Sequence, residues 1–110
     1  MANGRSIQEI KRIRREVLVA LRMLYPAPLQ AEQLFRSLLC VFPELEWDGF
    51  RRDLAYLMEK GYLARVLGHT ERQGESPALT SWRKRWIRLT TAGLEVIDQV
   101  VHDPALELEA

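Results

Sequence analysis

Apolar residues recur along this chain with a helical period, then with the period of a strand, then with a helical period again. Ile10, Ile13, Val17, Leu21 and Leu24 follow one another at three- and four-residue spacing, with Arg12, Arg15 and Arg22 off that stripe. This predicts an amphipathic first helix. Ser6-Ile-Gln-Glu9 ahead of it is a capping box, and Tyr25-Pro26-Ala-Pro28 ends it, because proline disfavours helical geometry before it and lacks an amide hydrogen. A second helix is predicted over about 31–41, with Leu34, Phe35 and Leu38 inward, and Phe42-Pro43-Glu44-Leu45-Glu46 turns into a third over about 47–60. In the third helix, advancing about 100° per residue from Phe50, Leu54, Leu57 and Met58 share one sector. Asp48, Arg52, Ala55, Tyr56 and Glu59 lie opposite, with Arg51 on a flank. Gly61 stands where a helix-terminating glycine is expected.

From Tyr62 to Leu67 β-formers take over, and the polar run Gly68 to Pro77 reads as a hairpin tip. The return strand is predicted from about Trp82, with Arg83, Arg85, Ile87 and Leu89 on one face and Trp82, Lys84, Trp86 and Arg88 on the other. Ile87 and Leu89 point to the core, while the arginines nearer the tip need not. Thr90 caps a last helix through about Val101, with Leu94, Ile97 and Val101 inward. Leu29 is placed to add a short strand beside the hairpin. The predicted order is α-α-α-β-β-α, a mainly α fold with a small β-hairpin (α+β). An N-terminal arm (1–6) and an acidic C-terminal tail (104–110) flank one domain (7–103).

Composition sets limits on this picture. The chain has 110 residues, enough to bury a core without disulfide or metal. Its single cysteine, Cys40, lies in the apolar run Leu38-Leu-Cys-Val-Phe42 and reads as a buried structural thiol. No apolar run reaches membrane-span length and no signal-peptide core is present, so a cytoplasmic protein is expected. The net charge of +1 hides an asymmetry. Residues 1–25 and 61–90 each carry +4, residues 26–60 carry −2 and residues 91–110 carry −5. Local field steers a polyanion more than total charge does. There is no phosphate-cradling glycine loop, nucleophile elbow or motif-placed carboxylate pair, and His69, His102 and Cys40 make no metal-ligand spacing. Neither catalysis nor a cofactor is expected.

Two segments carry a resemblance. Arg51-Arg-Asp-Leu-Ala-Tyr-Leu-Met-Glu-Lys-Gly61-Tyr-Leu63, then the basic strand and Ile87-Arg-Leu-Thr-Thr-Ala-Gly93, resemble the winged helix-turn-helix superfamily of bacterial repressors. The junction into the last helix is similar to the PadR- and MarR-like groups. The compact layout resembles small winged-helix proteins of Mu-like phages and prophages. The resemblance covers about residues 7–102. The chain departs from the PadR type in lacking a long extra C-terminal helix, and its third helix is mixed in charge.

The resemblance implies a small transcriptional regulator whose third helix presents Asp48, Arg51, Arg52, Ala55 and Tyr56 to a major groove of double-stranded DNA. On the wing, Arg72, Arg83, Lys84 and Arg85 would contact phosphates or the minor groove. Arg14 and Arg15 would touch flanking backbone. Other readings of the same residues stand beside these. Arg51 and Arg52 are spaced to form surface pairs with Asp48, Asp53 and Glu59. A mixed-charge helix with exposed Trp47, Trp82 and Trp86 would also suit a module that binds a protein partner. If the chain forms a homodimer, its first and last helices are the expected surfaces.

Overall fold

The computed structural model describes residues 6–66 and 81–106. Within them the order is α1 (Ile7–Arg22), β1 (Leu29–Gln30), α2 (Ala31–Leu39), α3 (Trp47–Glu59), β2 (Leu63–Val66), a 3-10 turn (Trp82–Lys84), β3 (Trp86–Leu89) and α4 (Thr91–Ile97). The strands form one antiparallel sheet in the order β1-β3-β2. The fold is α+β, and Leu29 does contribute a strand. Among the described residues no helix is long and apolar enough to cross a membrane.

The Ser6 hydroxyl starts α1 by accepting from the Glu9 amide at 3.0 Å. Its buried stripe is Ile13, Val17, Leu18 and Leu21. Ile10 is half-buried, and Leu24 lies beyond the helix end and is exposed. In α2, Leu34 and Leu38 are buried as expected and Phe35 is half-buried. That helix ends at Leu39, two residues early, and Cys40 falls about 200° around it from the buried Leu38. The thiol is therefore exposed, not buried.

The end of α3 is a Schellman turn. The Gly61 amide donates to Met58 O and the Tyr62 amide to Leu57 O, each at 3.0 Å, with Gly61 at φ +84°. The chain passes at once into β2, where Leu63 pairs with Leu89 and Arg65 with Ile87. Leu63, Ile87 and Leu89 are buried against the helices.

The second half of the hairpin differs from the alternating strand expected from Trp82. Ser81 initiates a 3-10 turn, its hydroxyl accepting from the Arg83 amide at 3.3 Å and its carbonyl from the Lys84 amide at 3.0 Å. The start of α2 then takes up the next two carbonyls. Gln30 Nε2 donates to Lys84 O at 3.2 Å and the Ala31 amide to Arg85 O at 2.9 Å. Pairing begins only at Trp86, so the two-faced alternation of residues 82–85 does not exist.

Thr90 caps α4, accepting from the Gly93 amide at 3.1 Å. The helix stops at Ile97, four residues short of Val101, and Gln99 adopts left-handed geometry (φ 63°) just beyond. Its buried residues are Gly93 and Val96, whereas Leu94 and Ile97 are half-buried and Val101 is exposed. Arg22 and Asp98 clamp the ends of α1 and α4 together through two contacts of 2.5 and 3.2 Å. The chain stays packed beyond residue 104. Asp103 accepts from the Tyr62 hydroxyl (2.5 Å) and the Ala105 amide (2.8 Å) and pairs with Lys60 (3.1 Å). Leu106 is only 4% exposed.

Two outcomes follow from this packing. A Cβ at residue 93 would stand 2.4 Å from Tyr62 O and 2.7 Å from Leu89 Cδ1. Gly93→Ala is expected to cost about 2 kcal/mol or more in urea denaturation, because the obstacle is backbone and overpacking cannot relax cheaply. Stability should also respond to pH at both extremes. Burial, aided by the bond to Asp103 and its charge, pushes the Tyr62 hydroxyl up to about 12. A raised group stabilises fully below its unfolded value of about 10 and loses that contribution as pH climbs through the folded one. Burial alone would raise Asp103, but the bonds from Tyr62, the Ala105 amide and Lys60 outweigh it and hold the carboxyl below its usual value. Its contribution is present above the unfolded value of about 3.9 and is lost as pH falls through the depressed one. Thermal melts across pH should show Tyr62→Phe flattening the alkaline decline and Asp103→Asn flattening the acid one.

Candidate nucleic-acid interface

The third helix and the basic turn are brought together by an aromatic cluster. Phe35 of α2 meets Trp47, the first residue of α3, edge-on at 5.4 Å, and Phe50 lies 5.3 and 5.7 Å from the two rings. Such contacts contribute about 0.5–1.5 kcal/mol each beyond area burial. The exposed Arg83 covers the cluster, its guanidinium carbon 4.3 Å from the Trp47 ring centroid and 5.9 Å from that of Phe35. A guanidinium stacked on a ring keeps its donors in the plane, free for other acceptors. Trp47 and Arg51 are i,i+4 neighbours, so Arg83 lies on the flank of α3 that carries Arg51.

The three turn cations are disposed differently. Lys84 is exposed. Arg85 is half-buried with its guanidinium 4.4 Å from the Trp82 ring, so its charge is partly spent inside the fold. Arg72 lies outside the described residues, as does the hairpin tip. Trp47, Trp82 and Trp86 are half-buried, not the exposed aromatics that the sequence suggests.

On the other flank of α3, one arginine engages two side chains. Arg14 of α1 lies 3.8 Å from the Tyr56 ring centroid and 3.6 Å, through its Nε, from a carboxylate oxygen of Asp53. Asp53 is 2% exposed. It is therefore neither a surface partner for Arg51 and Arg52 nor a charge facing a ligand. Tyr56, half-buried, has a ring face covered by Arg14. Arg14 is consequently engaged within the fold rather than directed at flanking DNA, and Arg15 pairs with Glu16 at 2.8 Å. The remaining α3 positions stand where the sequence places them. Asp48 and Arg52 are exposed, while Arg51 and Ala55 are half-buried. No ion pair joins Arg51 or Arg52 to an acid among the described residues.

Two residues organise this surface in roles that the sequence does not assign to them. Trp47 was legible only as an aromatic at a helix start, and nothing local ties it to Arg83. Arg14 was legible as a cation near the helical stripe, but its partners on α3 are fixed only by the packing of α1. The assembled surface can hold acidic oxygen ligands along the turn and the Arg51 flank, and can present mixed hydrogen-bonding groups along the outer arc of α3. No protein-family model matches the chain, and neither a curated protein nor a solved structure shows significant similarity to it.

Arg14→Ala should strip Asp53 of a neighbouring cation and Tyr56 of its cover, leaving a buried carboxylate less compensated. Such a change costs roughly 2–4 kcal/mol. Denaturant midpoints would show it, and a shift within a few tenths would mean that both interactions are incidental.

Proposed function

We propose that the chain is a winged-helix DNA-binding module, a small cytoplasmic regulator of transcription of the kind found in bacteria and their phages. In this reading α3 enters the major groove and the Trp82–Lys84 turn meets the adjacent phosphates. The observation that carries it is the seating of Arg83 on Trp47. That seating puts a basic turn beside the entry of α3 and on the flank of Arg51. Arg83 and Lys84 supply sequence-independent attraction, and the outer arc of α3 supplies base contacts. The helix order, with a two-residue strand before α2 and a sheet ordered β1-β3-β2, is compatible with a module that presents α3 beside a hairpin. A homodimer suits the reading too. Met23, Leu24, Val100 and Val101 are exposed apolar side chains near the clamped ends of α1 and α4.

A second reading draws on one specific observation. Glu44, Glu46 and Asp48 are all exposed at the entry to α3, close to where phosphates would lie. This favours a basic protein surface as partner.

Titration of a random-sequence duplex at two salt concentrations separates the two. DNA binding should weaken steeply with salt. The double variant Arg83→Ala, Lys84→Ala should lower the salt slope by about 2, near 0.9 for each phosphate no longer held. Negligible binding at low salt, or a slope untouched by the double variant, would sink the DNA reading.

A further inference from the structure

The outer arc of α3 holds charges that the fold leaves unused. Asp48, Arg52 and Glu59 are exposed, and among the described residues none of them makes a side-chain hydrogen bond or ion pair. With Ala55 they fall within roughly 60° of one another around the helix. Asp48 and Arg52 have the i,i+4 spacing at which opposite charges pair, yet they do not pair. Most of the rest of the helix is engaged within the fold, and Arg51 is half-buried on a flank. Phe50, Leu54 and Leu57 are in the core, Asp53 is buried beside Arg14, Tyr56 is covered by Arg14, and Trp47 carries Arg83. What remains outward is one cation between two carboxylates, with a small residue that allows close approach.

Carboxylates are a poor choice for a surface that only grips phosphate. They suit a surface that must find donors. Resting on the DNA reading above, we infer that this arc selects G·C base pairs in the major groove. Arg52 is suited to donate to guanine O6 and N7 together, and Asp48 and Glu59 to accept from cytosine N4. An A·T pair meets these groups less well. Thymine offers Arg52 the single acceptor O4, and adenine N6 stands beside N7, an acceptor that a carboxylate avoids. Along the axis Asp48 and Arg52 are about 6 Å apart, close to two base-pair steps of about 3.4 Å. They can therefore address base pairs two steps apart. The acidic residues on α3 thereby gain a role in the same site whose phosphate grip they weaken.

Competition between duplexes of equal length, with randomised cores drawn only from G·C or only from A·T pairs, tests this at fixed low salt. The full chain should prefer the G·C pool by about tenfold or more. Arg52→Ala should remove most of that preference. Arg52→Lys should do the same while keeping the charge, because an ammonium lacks the two-pronged geometry. Asp48→Asn should raise affinity for the A·T pool by relieving repulsion, and so narrow the ratio. Both substituted residues are exposed, and unchanged thermal melts would show that the variants fold. Salt-sensitive binding with no G·C preference, or a preference that all three variants leave intact, overturns the inference while the DNA reading stands. No binding to either pool at low salt overturns both.

Discussion

The Tyr62 carbonyl occupies the space that a side chain at residue 93 would fill, and most of the architecture depends on that close approach. The oxygen accepts from the Thr90 amide at 3.0 Å, while the Thr90 hydroxyl donates to Gly61 O at 2.6 Å and accepts from the Gly93 amide. The end of α3 is thereby sewn to the start of α4 across the base of the hairpin. Gly61 supplies the left-handed turn that lets the chain leave α3 directly into β2. Gly93 supplies the missing Cβ that lets α4 begin at that distance. Together they set the Leu63–Leu89 register, and through it the burial of Ile87 and Leu89 under α1. The Tyr62 side chain extends the same junction by holding Asp103, shortly before the buried Leu106.

Features governed by neighbours in sequence were legible from the sequence alone. The Ser6 and Thr90 caps, the Gly61 stop, the Phe50-Leu54-Leu57 stripe and the inward Ile87 and Leu89 are all local chemistry expressed at fixed spacing. The misreadings share a different cause. Trp82-Arg-Lys-Arg-Trp86 alternates well enough for a strand. Its first residues become a 3-10 turn because Gln30 and Ala31, more than fifty positions away, claim the Lys84 and Arg85 carbonyls. Asp53 looks like a surface acid because its neighbour Arg14 belongs to another helix. An inward Val101 requires a longer helix than the one that forms, and Cys40 falls on the outer face of α2. Leu106 sits among acidic residues that suggest a solvated tail, although one leucine suffices to pin the segment. Period and capping therefore specify where the helices begin, whereas the late start of β3 and the early ends of α2 and α4 escape them.

The same long-range contacts redistribute charge at the candidate interface. Read as a bare sequence, α3 sets Asp48, Asp53 and Glu59 against Arg51 and Arg52 and looks unsuited to a polyanion. Burial of Asp53 with Arg14 removes one of those acids from the surface. On the turn the redistribution runs the other way. Arg85 lies over Trp82 and gives up part of its reach, leaving Arg83 and Lys84 as the outward cations. The electrostatic case thus rests on fewer residues than the sequence offers, each with a better-defined position.

Position is what Trp47 contributes. A free arginine side chain gives up as much as about 2 kcal/mol of rotamer entropy when a ligand immobilises it. A cation–π contact at an exposed site returns about 0.5–1 kcal/mol, enough to bias Arg83 toward the stacked rotamer without burying its donors. In the proposed complex part of the ordering cost would then be met before the phosphate arrives. The bias is also directional. Trp47 starts α3 and Phe35 belongs to α2, so Arg83 is registered to the helix that would read bases and to the helix that braces it. An unstacked arginine could attract the same phosphate, but it could not tell α3 how deep to enter the groove. In the proposed complex, joining attraction to register would favour a tryptophan at the first residue of this helix over a smaller apolar one.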